Sequence, residues 1–175
     1  SPERHEIYYD LAFNLAKQKR FEEAKAIAEK SIALNPKIGR SYLALALVSF
    51  FAGDKEQTLA KLAAVQKTDP DFSSFHQEDI NNLAFMYGSL EEYGKLADIV
   101  RNDMNKSSPS LRKGYYSVVL SYYAVIENQS GFIDLAKHEN RQDLVSLAEK
   151  NLWSTIREKI KYEIELKNSQ LNQPK

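Results

Sequence analysis

Cysteine is absent from the 175 residues. That removes disulfides, thiolate zinc sites and a cysteine nucleophile, and leaves the redox compartment open. Glycine and proline are scarce, at 6 and 5, while Ala, Leu, Lys and Glu abound, which points to an all-α chain. Neither sign of charge is in surplus: 24 Lys+Arg face 24 Asp+Glu, interspersed throughout. A nucleic-acid partner is therefore not expected, since such binders carry a basic stripe or surplus. No hydrophobic run is long enough to cross a bilayer. The most apolar one, Tyr42 to Gly53, lies between Arg40 and Asp54, far short of the roughly 20 apolar residues of a spanning helix. The other, Gly114 to Asn128, is dotted with serines and tyrosines. Direct membrane insertion is not expected.

Signatures of catalysis are missing too. His5, His76 and His138 are far apart, without H-x₃-H or H-E-x-x-H spacing, so no metal is expected. There is no glycine-rich phosphate loop and no G-x-S-x-G, and nothing singles out a carboxylate pair. The reading is of a non-enzyme without a cofactor.

What is present is repetition. Pro36 and Pro70 close "ALNPK" and "KTDPD" 34 residues apart. The same shift lays Tyr8 on Tyr42, Leu11 on Leu45 and Ala12 on Ala46. Each unit reads as two amphipathic helices around a polar break, then an Asn-Pro or Asp-Pro stop. In the second break Gly53 serves as a helix C-terminal glycine and Asp54 as an N-cap, with Gln57 three residues on.

This spacing resembles the tetratricopeptide repeat (TPR), a 34-residue helix–turn–helix. Unit one supplies Tyr8, Leu11, Ala12, Leu15, Ala24, Ala28 and Pro36 at the family's places. Unit two supplies Tyr42, Leu45, Ala46, Ser49, Thr58, Leu62 and Pro70. Unit three, after four extra residues in "DFSSFHQ", supplies Ile80, Leu83, Ala84, Tyr87, Leu96 and Val100, with "SSP" at 107–109 as its close. The resemblance implies a right-handed superhelix of helix-turn-helix repeats at about 5–38, 39–72, 77–110 and a degenerate 111–140. A single domain over 1–167 is expected. From Arg141 to Leu166 no Gly or Pro interrupts an apolar series through Val145, Leu152, Ile156, Ile160 and Ile164. One long capping helix over 141–167 is expected, with Asn140 as N-cap and 168–175 as a flexible tail. Ser1 and Pro2 suit a helix start, which suggests a domain cut from a longer protein.

In the TPR arrangement the first helices line a concave face. The resemblance then implies a peptide- or helix-binding surface of Tyr9, Phe13, Arg40, Leu43, Leu47, Phe50, Asn81 and Phe85, with Phe51 at its edge. The places where some TPR domains hold a terminal carboxylate with Lys and Asn carry Tyr9, Phe13 and Ala44, so an acidic C-terminal tail is a poor ligand. The expected function is a protein–protein interaction scaffold, with a homodimer through Trp153 and the C-terminal helix as a further option. The opening R-x-E-x-Y-Y (Arg4, Glu6, Tyr8, Tyr9) also resembles TPR tails of O-antigen ligase/polymerase-like bacterial membrane proteins. That alternative implies a soluble accessory domain outside the cytoplasm; a free-standing scaffold implies a cytoplasmic one.

Overall fold

The computed structural model describes residues 4–106 and 111–171. The expected helix start at Ser1–Pro2, the close at 107–109 and the last residues of the tail lie outside them. Among the described residues there are ten helices and no strand. They are α1 (Arg4–Lys17), α2 (Phe21–Leu34), α3 (Gly39–Phe51), α4 (Lys55–Thr68), α5 (Gln77–Ser89), α6 (Tyr93–Met104), α7 (Lys113–Val125), α8 (Gln129–His138), α9 (Gln142–Glu149) and α10 (Trp153–Leu171). The all-α reading holds.

One local device recurs along the chain. The second residue past a helix end adopts a left-handed conformation, and the next helix begins two residues later. Lys19 (φ 62°), Gly53 (φ 79°), Glu91 (φ 62°), Glu127 (φ 54°), Asn140 (φ 56°) and Asn151 (φ 54°) occupy this place. The following amide closes the turn on a carbonyl five residues back, as Arg20 does on Leu15, Asp54 on Ser49, Asn128 on Tyr123, Arg141 on Ala136 and Leu152 on Leu147. This closure takes up carbonyls that a helix end leaves unsatisfied. In the second turn Asp54 caps α4 as expected, accepting from the Gln57 amide at 2.9 Å.

Two expectations fail at these turns. The chain from 141 to 167 is not one helix but two, α9 and α10, with Asn151 in the left-handed turn between them. Asn140 is likewise the turn residue rather than the N-cap, a place taken by Arg141. Asn tolerates a left-handed conformation through local hydrogen bonding, so the break needs neither Gly nor Pro. The expected tail also starts as helix, because α10 runs to Leu171.

Where a single domain over 1–167 is expected, contacts gather into two compact units, Ser1–Glu91 and Glu92–Lys175. The boundary cuts the expected third repeat at its central turn. In the N-terminal unit, α1 pairs with α2 and α3 with α4, and α3 also packs on α1, α2 and α5. Hence α3 is apolar all round: from Leu43 to Val48 every residue is buried, as befits a helix with neighbours on all sides. Ala12, Ala46 and Ala84, at the small-residue place of the three units, have no exposed surface, which permits close helix approach. Leu11 departs from its equivalents: it is exposed, whereas Leu45 and Leu83 are buried.

The four extra residues form a loop gathered on one carboxylate. Asp69 accepts from the Ser73 and Ser74 amides, both at 2.9 Å, and from both hydroxyls. Burial pushes the Asp69 acid upward, but the serine hydrogen bonds outweigh it and hold it below the ordinary value. Gly39 lies so close that a Cβ there would come 2.6 Å from the Asp69 Cβ.

In the C-terminal unit, α7 packs on α6, α8 and α10, and α9 lies between α8 and α10. The fully buried Asp103 of α6 accepts from the Leu111 amide at 2.9 Å and the Tyr116 hydroxyl at 2.8 Å. The Tyr116 ring stacks on His138 with centroids 5.2 Å apart. Burial, then the Asp103 carboxylate, pushes the Tyr116 phenol well above its usual range. Helix α10 is tied down by charge at both flanks. Arg141 bridges Asp143 and Glu163, and Lys159 reaches Asp143 at 2.9 Å. At the other side Arg157 donates to the Ala124 carbonyl at 3.0 Å and meets Glu127 at 3.1 Å.

Candidate functional site

The C-terminal half of α1, the end of α3 and the middle of α5 each project phenylalanine rings toward a common side of the N-terminal unit. Phe13 lies 6.0 Å from Phe51, Phe51 lies 5.9 Å from Phe50, and Phe50 meets Phe85 edge to face at 5.4 Å. Tyr9 extends the series behind Phe13 at 6.4 Å. Phe51 and Phe85 remain 38% and 47% exposed. The Lys17 ammonium sits 4.2 Å from the Phe13 ring centre, a cation over an aromatic face at one end of the row.

Beside the row is a polar staple. The Arg40 guanidinium lies 4.4 Å from the Tyr9 ring centre and 2.8 Å from the buried Asp79 carboxylate. Asp79 also accepts from the His76 amide at 3.0 Å, closing the first turn of α5, where negative charge suits the helix dipole. Asn82 donates to the Tyr9 hydroxyl at 3.5 Å. Burial first, and Asp79 second, raise the Tyr9 phenol far above its usual range. A phenol so held stays neutral and acts as packing with a polar tip.

Of the eight residues expected on a binding face, Phe13, Phe50 and Phe85 do come together there. Tyr9 is buried behind them, and Arg40 is committed to Asp79 and Tyr9. Leu43 and Leu47 are corrections: at 0% and 1% exposure they are core, inaccessible to a ligand. The reason is that α3 has helices on every side, so no face of its middle is left open. Asn81 is half-buried and donates to the Gln77 carbonyl one turn back on its own helix. Phe51, expected only at the edge, is instead a full member of the row. Its sign in the sequence is the pair Phe50–Phe51 just before the Gly53 break, where the chain leaves the core.

A second apolar surface lies in the C-terminal unit. Ala124 and Val125 of α7 with Ile160 and Ile164 of α10 line a groove of about 360 Å³, rimmed by Arg157, Lys161 and Glu165. Among the described residues no group of three or more His, Asp or Glu is placed to hold a metal ion. No described helix is long and apolar enough to cross a membrane. No family model, curated protein or solved structure matches the chain.

Proposed function

We propose that the chain is a helical-repeat interaction module of the tetratricopeptide kind, binding an amphipathic helical segment of another protein on the Phe13–Phe51–Phe50–Phe85 row. The carrying observation is the row itself, with two large rings left in water. Fully burying a phenylalanine is worth roughly 1.5–3 kcal/mol, so an occupant gains by covering them. The three ring-to-ring steps, from 5.4 to 6.0 Å, make one continuous aromatic surface. A docked helix with apolar anchors at i, i+3 or i+4, and i+7 presents the matching stripe. Lys17, over Phe13, favours an acidic residue at that end of the ligand.

The repeat reading is supported by the three buried alanines in register and by the recurrent left-handed turn. It is supported also by α10, which packs back on α7 and α9 rather than opening a further hairpin, as an end cap does. No observation favours a role in glycan assembly: of the opening that suggests it, Tyr9 is occupied in packing against Arg40.

The test is peptide display on the wild-type chain, with selected peptides measured against a Phe51→Asp/Phe85→Asp variant. Peptides with apolar residues at helical spacing should be enriched and should bind the variant at least about tenfold more weakly. Enrichment without that spacing, or equal binding to the folded variant, would discard the reading.

A further inference from the structure

The α7–α10 groove has features the peptide-binding row lacks. It is lined on both helices by exposed apolar side chains, Val125 on α7 and Ile164 on α10, at 67% and 44% exposure. Ile160, nearly buried, forms its floor. Gly114, Ser117, Ser121 and Ala124 on α7 are small where α10 runs alongside, so the seam between the helices is shallow and open.

The rim charges select an occupant. Lys161 and Glu165 stand one turn apart on α10, 78% and 63% exposed and 3.9 Å from each other. Such an (i, i+4) pair is self-complementary under a two-fold axis: a second α10 laid antiparallel places each lysine opposite the other copy's glutamate. A centre at Glu163 achieves this register and brings the Ile164 side chains toward the facing grooves. An isologous contact of this kind closes on itself as a dimer. We propose that the Val125–Ile160–Ile164 groove is a homodimer interface, occupied by α10 of a second copy of this chain. The product is a four-helix bundle of α7, α10 and their symmetry mates, with apolar residues inside and reciprocal Lys161–Glu165 pairs at the rim. At 19 residues, α10 spans about 28 Å.

The deciding experiment is sedimentation equilibrium on the full chain from about 5 μM to 500 μM, with circular dichroism melts of every variant. The wild type should move from the 20.0 kDa monomer mass toward twice that value as concentration rises. Lys161→Glu and Glu165→Lys, at exposed positions, should each melt like the wild type. Each should weaken association at least about tenfold, because the two-fold counts every substitution twice. The double exchange Lys161→Glu/Glu165→Lys restores the complementarity and should return the dimer to within about threefold of wild type. A mass fixed at the monomer value, a dimer indifferent to both single reversals, or single losses that the double exchange fails to rescue would each overturn the proposal.

Discussion

Phe50 meets Phe85 edge to face, 5.4 Å between centroids, and so joins the end of α3 to the middle of α5. Three residues before Phe50, Leu47 is 1% exposed. Within one helical turn α3 thus passes from sealed core to a surface other molecules can reach. A site on this helix is confined to its last turn.

Substitutions should divide at that line. Phe85→Asp removes one aromatic pair, worth about 0.5–1.5 kcal/mol, and some half-exposed surface. The variant should stay folded, at a cost of about 1–2 kcal/mol in urea titration. Leu47→Asp puts a carboxylate where no water reaches and should cost more than about 4 kcal/mol, enough to unfold the N-terminal unit. A soluble, cooperatively melting Leu47→Asp protein would contradict the burial of α3.

Gly39 opens α3 against the Asp69 loop. A Cβ there would stand 2.6 Å from the Asp69 Cβ and 3.0 Å from the Phe75 ring. Neither the loop, pinned by two serines, nor the helix start has slack. Gly39→Ala should destabilise by about 1–3 kcal/mol. Gly114→Ala, on α7 where the added methyl would meet nothing within 4 Å beyond its own chain neighbours and helix backbone, should be neutral or gain up to about 1 kcal/mol. Thermal melts of the two variants make the comparison.

Much of this architecture is legible in the residues. The 34-residue shift, the alanines at 12, 46 and 84 and the Gly53–Asp54 break mark the N-terminal helix pairs. What escapes does so for physical reasons. Periodicity assigns a face only when a helix has a polar side, and α3 from Leu43 to Val48 has none, so Leu43 and Leu47 could be phased either way. The α9–α10 break escapes because its one marker is Asn151, which favours caps and turns but at a cost in a helix interior too small for a single residue to decide against continuation. Arg40 reads as a member of the binding face because its partner Asp79 lies in a different helix 39 positions on.

Asp103 anchors the C-terminal unit through two donors, the Leu111 amide and the Tyr116 hydroxyl, with Lys106 at 3.8 Å. Asp103→Ala would leave both donors buried and unpaired, at about 1–3 kcal/mol each before relaxation. Tyr116→Phe removes one donor and leaves the carboxylate the Leu111 amide and Lys106. The expected order is a large loss for Asp103→Ala and about 1–2 kcal/mol for Tyr116→Phe. Equal effects would mean that the hydroxyl contact carries the whole interaction.

Acid should weaken the fold by a definite route. Hydrogen bonds from Arg141 hold the Asp143 carboxyl well below its ordinary value despite partial burial, and Lys159 adds to the effect. Asp69 is also held low. A folded-state depression means the stabilisation is complete above the unfolded carboxyl value, about 3.9, and fades as pH falls through the lower folded values. Urea midpoints should therefore be flat from about pH 7 down to about pH 5 and decline below about pH 4. Asp143→Asn should be less stable at neutral pH and show a shallower acid decline. A parallel decline would exclude the Arg141–Asp143 pair as a contributor.

The recurrent left-handed turn offers the most local test. For an L-residue that conformation costs roughly 1–2 kcal/mol, which glycine avoids while losing more freedom on folding. Lys19 holds it at φ 62°, so Lys19→Gly should gain about 0.5–1 kcal/mol net. Glu127, at φ 54°, also faces Arg157 at 3.1 Å. There the gain is offset by the lost ion pair, and Glu127→Gly should come out near neutral. Asn140 already tolerates the turn: Asn140→Gly should change little, and Asn140→Ala should cost about 1 kcal/mol. The ordering Lys19→Gly above Glu127→Gly and Asn140→Gly, with Asn140→Ala last, follows from backbone geometry together with the Glu127–Arg157 ion pair. An Asn140→Ala variant as stable as wild type would mean that α8 and α9 are not joined through a left-handed residue.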